Sequence, residues 1–209
     1  MYHSEHGQDK WLNENIFREK LNGVFFEVGA IDGLIGSNTL FFERILGWNG
    51  LLVEASPEQY PALVANRPRV KTEKCAIYDR DGETIEFTAC AGHLTGWSGI
   101  KKELEPQHLE RMEINIPASL RSSVMVPTMT LASVLKKHGL QRLDYCCLDI
   151  EGAEFAVLKV FPFAEFDIEI FDIEDNFGNY PIEKLMIENG YRKIVRLGVS
   201  DIYQKVGKE

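Results

Sequence analysis

Val24-Phe25-Phe26-Glu27-Val28-Gly29-Ala30-Ile31-Asp32-Gly33 is a short apolar strand that runs straight into an acidic turn of pattern Glu-x-Gly-x-x-Asp-Gly. Gly29 lets the backbone turn and approach a ligand where a Cβ would intrude, and Gly33 supplies a positive φ before the next helix. Ser37 or Asn38 is expected to cap that helix, and Leu40, Phe41, Ile45 and Leu46 give it one buried face. The turn is not the dinucleotide fingerprint. Glycine is missing from the middle position of Gly-x-Gly-x-x-Gly, and acids flank the place a pyrophosphate would take.

A second strand, Gly50-Leu51-Leu52-Val53-Glu54, ends on an acid 21 residues beyond Gly33. An acid at the tip of the second strand of a βαβ unit accepts both ribose hydroxyls, and a spacing of about 20 residues is what the crossover imposes. Carboxylates around such a turn suit a cationic, hydroxyl-bearing ligand. S-adenosylmethionine is one, with a sulfonium, an ammonium, a ribose and no phosphate.

The chain has 209 residues, 44% of them hydrophobic, which suits one α/β domain spanning 1–209. Its net charge of −9 gives no electrostatic footprint for nucleic acid or an anionic membrane, so neither is an expected partner. Cys75, Cys90, Cys146 and Cys147 form no C-x-x-C pair and are too few for a disulfide scaffold, which favours a reducing compartment. No apolar run reaches membrane-spanning length and the start Met1-Tyr2-His3-Ser4-Glu5-His6 is polar, so the expectation is a cytoplasmic protein. His3 and His6, three apart near the terminus, are not expected to bind metal.

Residues 1–22 form an N-terminal helical segment, with the helix over 8–20. Ser56 as N-cap with Pro57 at the first helical position predicts the next helix start. Residues 70–77 are expected as a third strand and 83–90 as a further one with Ile85 and Phe87 alternating. From 91 to 126 periodicity fades among glycines, prolines and charges, and so long a stretch without clear structure suggests a lid or substrate-shaping insertion. A helix over 131–138 stops at Gly139, and 143–150 is a strand buried on both faces. A strand over 166–173, a helix over 182–188 and a hairpin of 191–197 with 202–206 close the chain. Strands alternating with helices and ending in a hairpin predict a mostly parallel sheet with an antiparallel strand.

Ligands of such sheets bind at the carboxyl ends of the strands, where strand order reverses. Asp149, Glu151 and Glu154 follow the fourth strand, and Asp172, Glu174 and Asp175 lie along the exit of the fifth. Glu154 serves equally well as a cap on the helix over 153–160, whereas Asp149 and Glu151 are read as functional. Asp149, Glu151 and Asp175 are oxygen ligands of the type a hard cation takes, but no metal site is expected.

The chain resembles the FkbM-type methyltransferases, a branch of the class I S-adenosylmethionine-dependent enzymes. The resemblance rests on Gly7-Gln8-Asp9-Lys10, on the stretch from Phe26 to Gly33 with Ser37-Asn38-Thr39, on Gly47-Trp48-Asn49-Gly50 leading to Val53-Glu54, and on Leu148-Asp149-Ile150-Glu151-Gly152-Ala153-Glu154. It implies a Rossmann-like, seven-stranded, mostly parallel sheet with helices on both faces and S-adenosylmethionine as cofactor. It further implies a cofactor site made of Glu27, Gly29, Ala30, Asp32, Gly33, Ser37 and Asn38 from the first loop, Glu54 and Ala55 at the ribose, Ala76 and Ile77 near the adenine, and Asp149. The region 91–126 matches no motif of the family.

Methyl transfer from a sulfonium is an in-line displacement, so the protein holds the acceptor atom behind the methyl and removes a proton where the acceptor is a hydroxyl. The expected activity is O-methylation of a small molecule, sugar or natural-product scaffold. Asp149 or Glu151 would orient the acceptor, and one of them or His108 would act as base. Two rival readings are a non-catalytic binding or adaptor protein on the same fold and a nicotinamide oxidoreductase, which Glu54 fits and the loop does not.

Overall fold

A computed structural model describes residues 1–178 and 180–207. Helix α1 (Gln8–Leu12) passes into a π-helical turn, Asn13–Phe17, and strand β1 (Val24–Val28) follows. Then come α2 (Leu40–Leu46), β2 (Asn49–Val53), α3 (Tyr60–Asn66), β3 (Lys71–Glu73), β4 (Ala76–Ile77), β5 (Thr84–Cys90), β6 (Gly99–Ile100) and α4 (Pro106–Asn115). Next are β7 (Arg121–Met129), α5 (Leu131–His138), β8 (Arg142–Leu148), α6 (Glu154–Val160), β9 (Asp167–Glu174), α7 (Ile182–Glu188), β10 (Tyr191–Leu197) and β11 (Ser200–Lys205).

Seven strands form one sheet in the order β10-β11-β9-β8-β1-β2-β3, in which β11 alone runs against its neighbours. The order reverses between β1 and β8, because the chain builds outward from β1 to β3 and then returns to the other side of β1. Their parallel register sets Val28 beside Leu148 and beside Val53, so the first residues past all three strands share one level. This is the crevice where ligands of open α/β sheets bind.

The central strands are apolar on both faces, as a covered parallel sheet requires. Phe26, Val28, Val53, Cys146, Leu148 and Phe171 pack with Val134 and Leu135 of α5, Val157 and Leu158 of α6 and Met186 of α7. Phe25, Leu52, Tyr145, Cys147 and Ile170 pack on the opposite face with Leu12, Phe17, Phe42, Leu46 and Leu63. Period-two alternation along β1 therefore feeds both cores and leaves Glu27, on the Phe25 side, facing the segment before α2. All four cysteines are buried and free.

The structure corrects several expectations. Ile45 is 59% exposed and Phe42 takes its place on the buried face of α2. Neither Ser37 nor Asn38 holds the cap of that helix; Thr39 does, and its Oγ1 donates to the buried Glu27 carboxylate and accepts from Arg67 rather than from the first amides of the helix. Pro57 lies ahead of the regular helix, which starts at Tyr60. Ser56 still begins the turn, its Oγ accepting from Gln59 N at 3.4 Å and its carbonyl from Tyr60 N at 3.1 Å.

The strand expected over 70–77 is two strands. β3 pairs with β2, and after Lys74 and Cys75 the chain leaves the main sheet so that β4 can pair with β7. A second sheet, β4-β7-β5-β6, was not anticipated. Residues 91–126 also carry regular structure: a 3-10 turn (Gly92–Trp97), β6, α4 and the start of β7. They have a small core of their own, in which Leu104, Met112 and Ile116 pack with Cys90, Leu94 and Trp97.

Candidate active site

Gly29 leaves β1 with φ +81°, and a Cβ there would lie 1.9 Å from the carbonyl oxygen of Asp149. The backbone thus approaches the end of the neighbouring strand closely enough to demand glycine, and Gly29 also lines the cavity described below. Gly33 takes φ +78° as expected, over the side chains of Leu63 and Arg67. Between them Ile31 holds φ +51°, a strained value for a β-branched residue, and its amide donates to Glu54 Oε2 at 2.8 Å. Glu54 Oε1 accepts from Ser56 N at 2.6 Å, so one carboxylate at the tip of β2 fixes both loops.

Glu27 organises the next stretch. It accepts from Ser37 Oγ at 3.1 Å, from Asn38 N at 2.9 Å and from Thr39 Oγ1. Behind the loop the fully buried Arg67 donates to Gly33 O at 3.0 Å, Ser37 Oγ and Thr39 Oγ1 at 3.1 Å each, and pairs with Glu43. Asn38 donates to Cys147 Sγ at 3.2 Å, while its buried Oδ1 has no partner among the described residues.

In front of these loops lies a cavity of about 670 Å³. Glu27, Gly29, Asn38, Glu54, Ala55, Ala76, Ile77, Asp149, Glu151 and His108 all line it. Ala30, Asp32, Gly33 and Ser37 are not among its lining residues. Asp32 is occupied within its own turn, where Oδ1 accepts from Leu34 N and Ile35 N at 2.9 Å each. Sequence reasoning gave no site role to Thr95 and Trp97 of the 3-10 turn, Arg111 of α4, or His3, His6 and Gln8 of the N-terminal segment, which line the cavity too.

At the ends of β8 and β9, carboxylate oxygens of Asp149, Glu151 and Glu174 lie within 4.8 Å of one another. Burial raises the pKa of Asp149, and the nearby charges of Glu151 and Glu154 raise it further; Glu174 is raised by burial and then by Asp149 and Glu151. Glu154 stands behind them. Its carboxylate accepts from Ile150 N at 2.8 Å and Gly152 N at 2.9 Å, stapling the turn that presents Glu151 at φ +57°, and burial pushes it up to about 8. Asp175 turns away to accept from Gly178 N, so Glu174 takes the place in the acidic trio that the sequence suggested for Asp175. Asp172 is tied to Tyr145 Oη at 2.6 Å beneath the sheet.

His108 Nδ1 stands 3.2 Å from Glu151 Oε2 and its Nε2 3.1 Å from the carbonyl of Trp97. Burial alone would lower its pKa, but the hydrogen bond to Glu151 and that residue's charge outweigh it and raise it. The ring thus bridges Glu151 and the carbonyl of Trp97 on the cavity wall.

The sheet order and the loop at its switch point define a class I methyltransferase fold. The family model of the methyltransferase FkbM domain matches residues 27–193, and the chain belongs to that family. It is an S-adenosylmethionine-dependent methyltransferase. No curated protein matches the sequence. Among solved structures it is similar to the METTL16 methyltransferase domain, with a TM-score of 0.53 at 10% identity over 95% of this chain and 66% of that one. It is also similar to a precorrin-6y C5,15-methyltransferase from Geobacter metallireducens (TM-score 0.47, 9% identity, 94% and 87% of the two chains). An RNA methyltransferase from Salinibacter ruber in complex with S-adenosylhomocysteine matches with a TM-score of 0.43 at 12% identity, over 100% and 95% of the chains. Among the described residues no helix is long and apolar enough to cross a membrane.

Proposed function

We propose that the protein O-methylates a hydroxyl of a small-molecule or glycan acceptor. The observation that carries this reading is the acidic trio Asp149, Glu151 and Glu174 on the wall of the cavity whose other side is the cofactor loop. The residues present fit the cofactor. The orphaned Oδ1 of Asn38 calls for a donor such as an ammonium, and Glu54 stands at the strand tip where a ribose is held. Ala76, Ile77 and Phe87 offer an apolar surface to a flat ring. A volume of about 670 Å³ exceeds what one nucleoside needs and leaves room for an acceptor.

S-adenosylmethionine supplies the electrophilic methyl on its sulfonium. The chain's own residues do the rest. Glu27 and Arg67 fix the loop, Asp149 and Glu151 hold the acceptor hydroxyl, one of them takes its proton, and His108 keeps Glu151 oriented. Trp97 and Arg111, stacked with the guanidinium carbon 4.9 Å from the ring centroid, give the acceptor an aromatic and cationic wall, which supports the substrate-shaping role of 91–126.

The test is release of S-adenosylhomocysteine in a screen of sugars, phenols and a single-stranded RNA. Asp149→Asn and Glu151→Gln are expected to bind cofactor normally and to lower turnover on the true acceptor by roughly 10²–10⁴-fold, the usual contribution of a proton-transferring group. Full turnover in both variants would remove these roles. Turnover on RNA alone would replace the acceptor class, and cofactor binding without turnover on any acceptor would favour the adaptor reading.

A further inference from the structure

The acidic trio lacks the counter-charge its crowding calls for. Among the described residues no lysine or arginine pairs with Asp149, Glu151 or Glu174, and His108 serves Glu151 alone. Glu174 is 8% exposed, lines the cavity and lies against the side chains of Asp149 and Asn176, while its Oε2 receives no hydrogen bond from a described residue. A buried carboxylate oxygen without a donor is a costly arrangement that a ligand at this place would relieve. Glu151 is meanwhile fixed from outside the trio, its Oε2 facing both His108 Nδ1 and Asn176 Nδ2 at 3.2 Å. Outer hydrogen bonds of this kind orient carboxylates that ligate metals.

We propose that Asp149, Glu151 and Glu174 bind one hard divalent cation of the magnesium or manganese class, in place of the metal-free site expected from the sequence. Three carboxylates supply part of an octahedron of oxygens and leave positions for water and for an oxygen of the acceptor. Calcium, with its 6–8 oxygen ligands, suits so small a donor set less well. Resting on the methyltransferase reading, the ion narrows the acceptor to one whose hydroxyl can reach it, with a second oxygen nearby to chelate. The bound hydroxyl is acidified, its proton passes to a carboxylate oxygen not engaged with the ion, the O–CH₃ bond forms and the C–S bond breaks with its electron pair left on sulfur.

The full chain, freed of metal by chelation, is titrated with Mn²⁺ while free Mn²⁺ is followed by electron paramagnetic resonance, with neither cofactor nor acceptor present. The expected result is one ion per chain, displaced by Mg²⁺. Glu174→Gln should weaken it by at least the ~10–100-fold that loss of an outer partner alone costs a metal site. Asp175→Asn should leave it unchanged. Should Glu174→Gln not fold, as judged by circular dichroism, Glu151→Gln replaces it. A wild type that binds no Mn²⁺, or a folded Glu174→Gln or Glu151→Gln that binds it undiminished, overturns the proposal. S-adenosylhomocysteine binding in the same samples separates the two claims. Cofactor bound without the ion removes the cation and keeps the methyltransferase, and an ion bound without cofactor does the reverse.

Discussion

Glu54 fixes two loops of the fold and, in the proposed function, is the acid that meets the ribose. Burial raises its pKa from 4.5 to about 7, even though the amides of Ser56 and Ile31 oppose the shift by donating to the carboxylate. Between pH 4.5 and 7 the unfolded chain ionises first. Stability from this group is therefore greatest in acid, declines through that window, and above it stays lower by about 3 kcal/mol. A carboxylate that accepts ribose hydroxyls works in its ionised form, so binding draws the proton off. Affinity for S-adenosylhomocysteine is expected to rise from pH 6 to pH 8, with net proton release at pH 7 in calorimetry run in buffers of different ionisation enthalpy. Affinity flat across that range would mean that Glu54 does not meet the ribose. The position of Glu54 at the tip of β2 was legible in the sequence from its spacing to Gly33. His108 was visible only as a residue type, because its pairing with Glu151 comes from the packing of α4 against the turn after β8.

At the scale of elements, the loop from Gly29 to Thr39 is held from behind by Arg67 at the end of α3. Its guanidinium is fully buried, and its hydrogen bonds to Gly33, Ser37 and Thr39 and its pair with Glu43 leave few of its donors unused. Arg67→Met keeps the volume but strips the loop of donors and leaves Glu43 without its partner. Breaking a buried pair in this way costs about 3–5 kcal/mol, which urea unfolding would register, together with weaker cofactor binding. A variant that unfolds and binds as the wild type does would show that the loop is held by Glu27 alone. No sequence pattern announced Arg67, since an arginine after a helix reads as surface. Helix α4 was missed for a related reason. His108, Met112 and Ile116 recur every four residues behind Pro106, yet the charged residues between them mask the stripe. The helix α5 with its Gly139 stop, the strand β8 and the closing hairpin carried strong local signals and were placed correctly.

For the whole molecule, the parallel sheet follows from apolar strands alternating with helices, and the switch point follows from the sheet order. The second sheet was invisible because β4 pairs with β7 through residues 52 apart, Ala76 with Thr128 and Ile77 with Met129, by contacts that local periodicity does not encode. The net charge of −9 led to the expectation that neither nucleic acid nor an anionic membrane is a partner, and the acids that line the cavity are part of that charge. The proposed site joins a loop built on β1 for the cofactor, an acid at the tip of β2 for its ribose and residues of 91–126 as a wall for the acceptor. Its most direct test is calorimetric titration with S-adenosylhomocysteine of the wild type, Glu54→Ala and Asp32→Ala, with NAD as control. The account predicts binding by the wild type and none of NAD. It predicts a loss of roughly 10–100-fold in Glu54→Ala, the worth of hydrogen bonds to a charged group. Asp32→Ala should lose less, since that side chain braces its own turn outside the cavity. Absence of binding by the wild type, or undiminished affinity in Glu54→Ala, would contradict it.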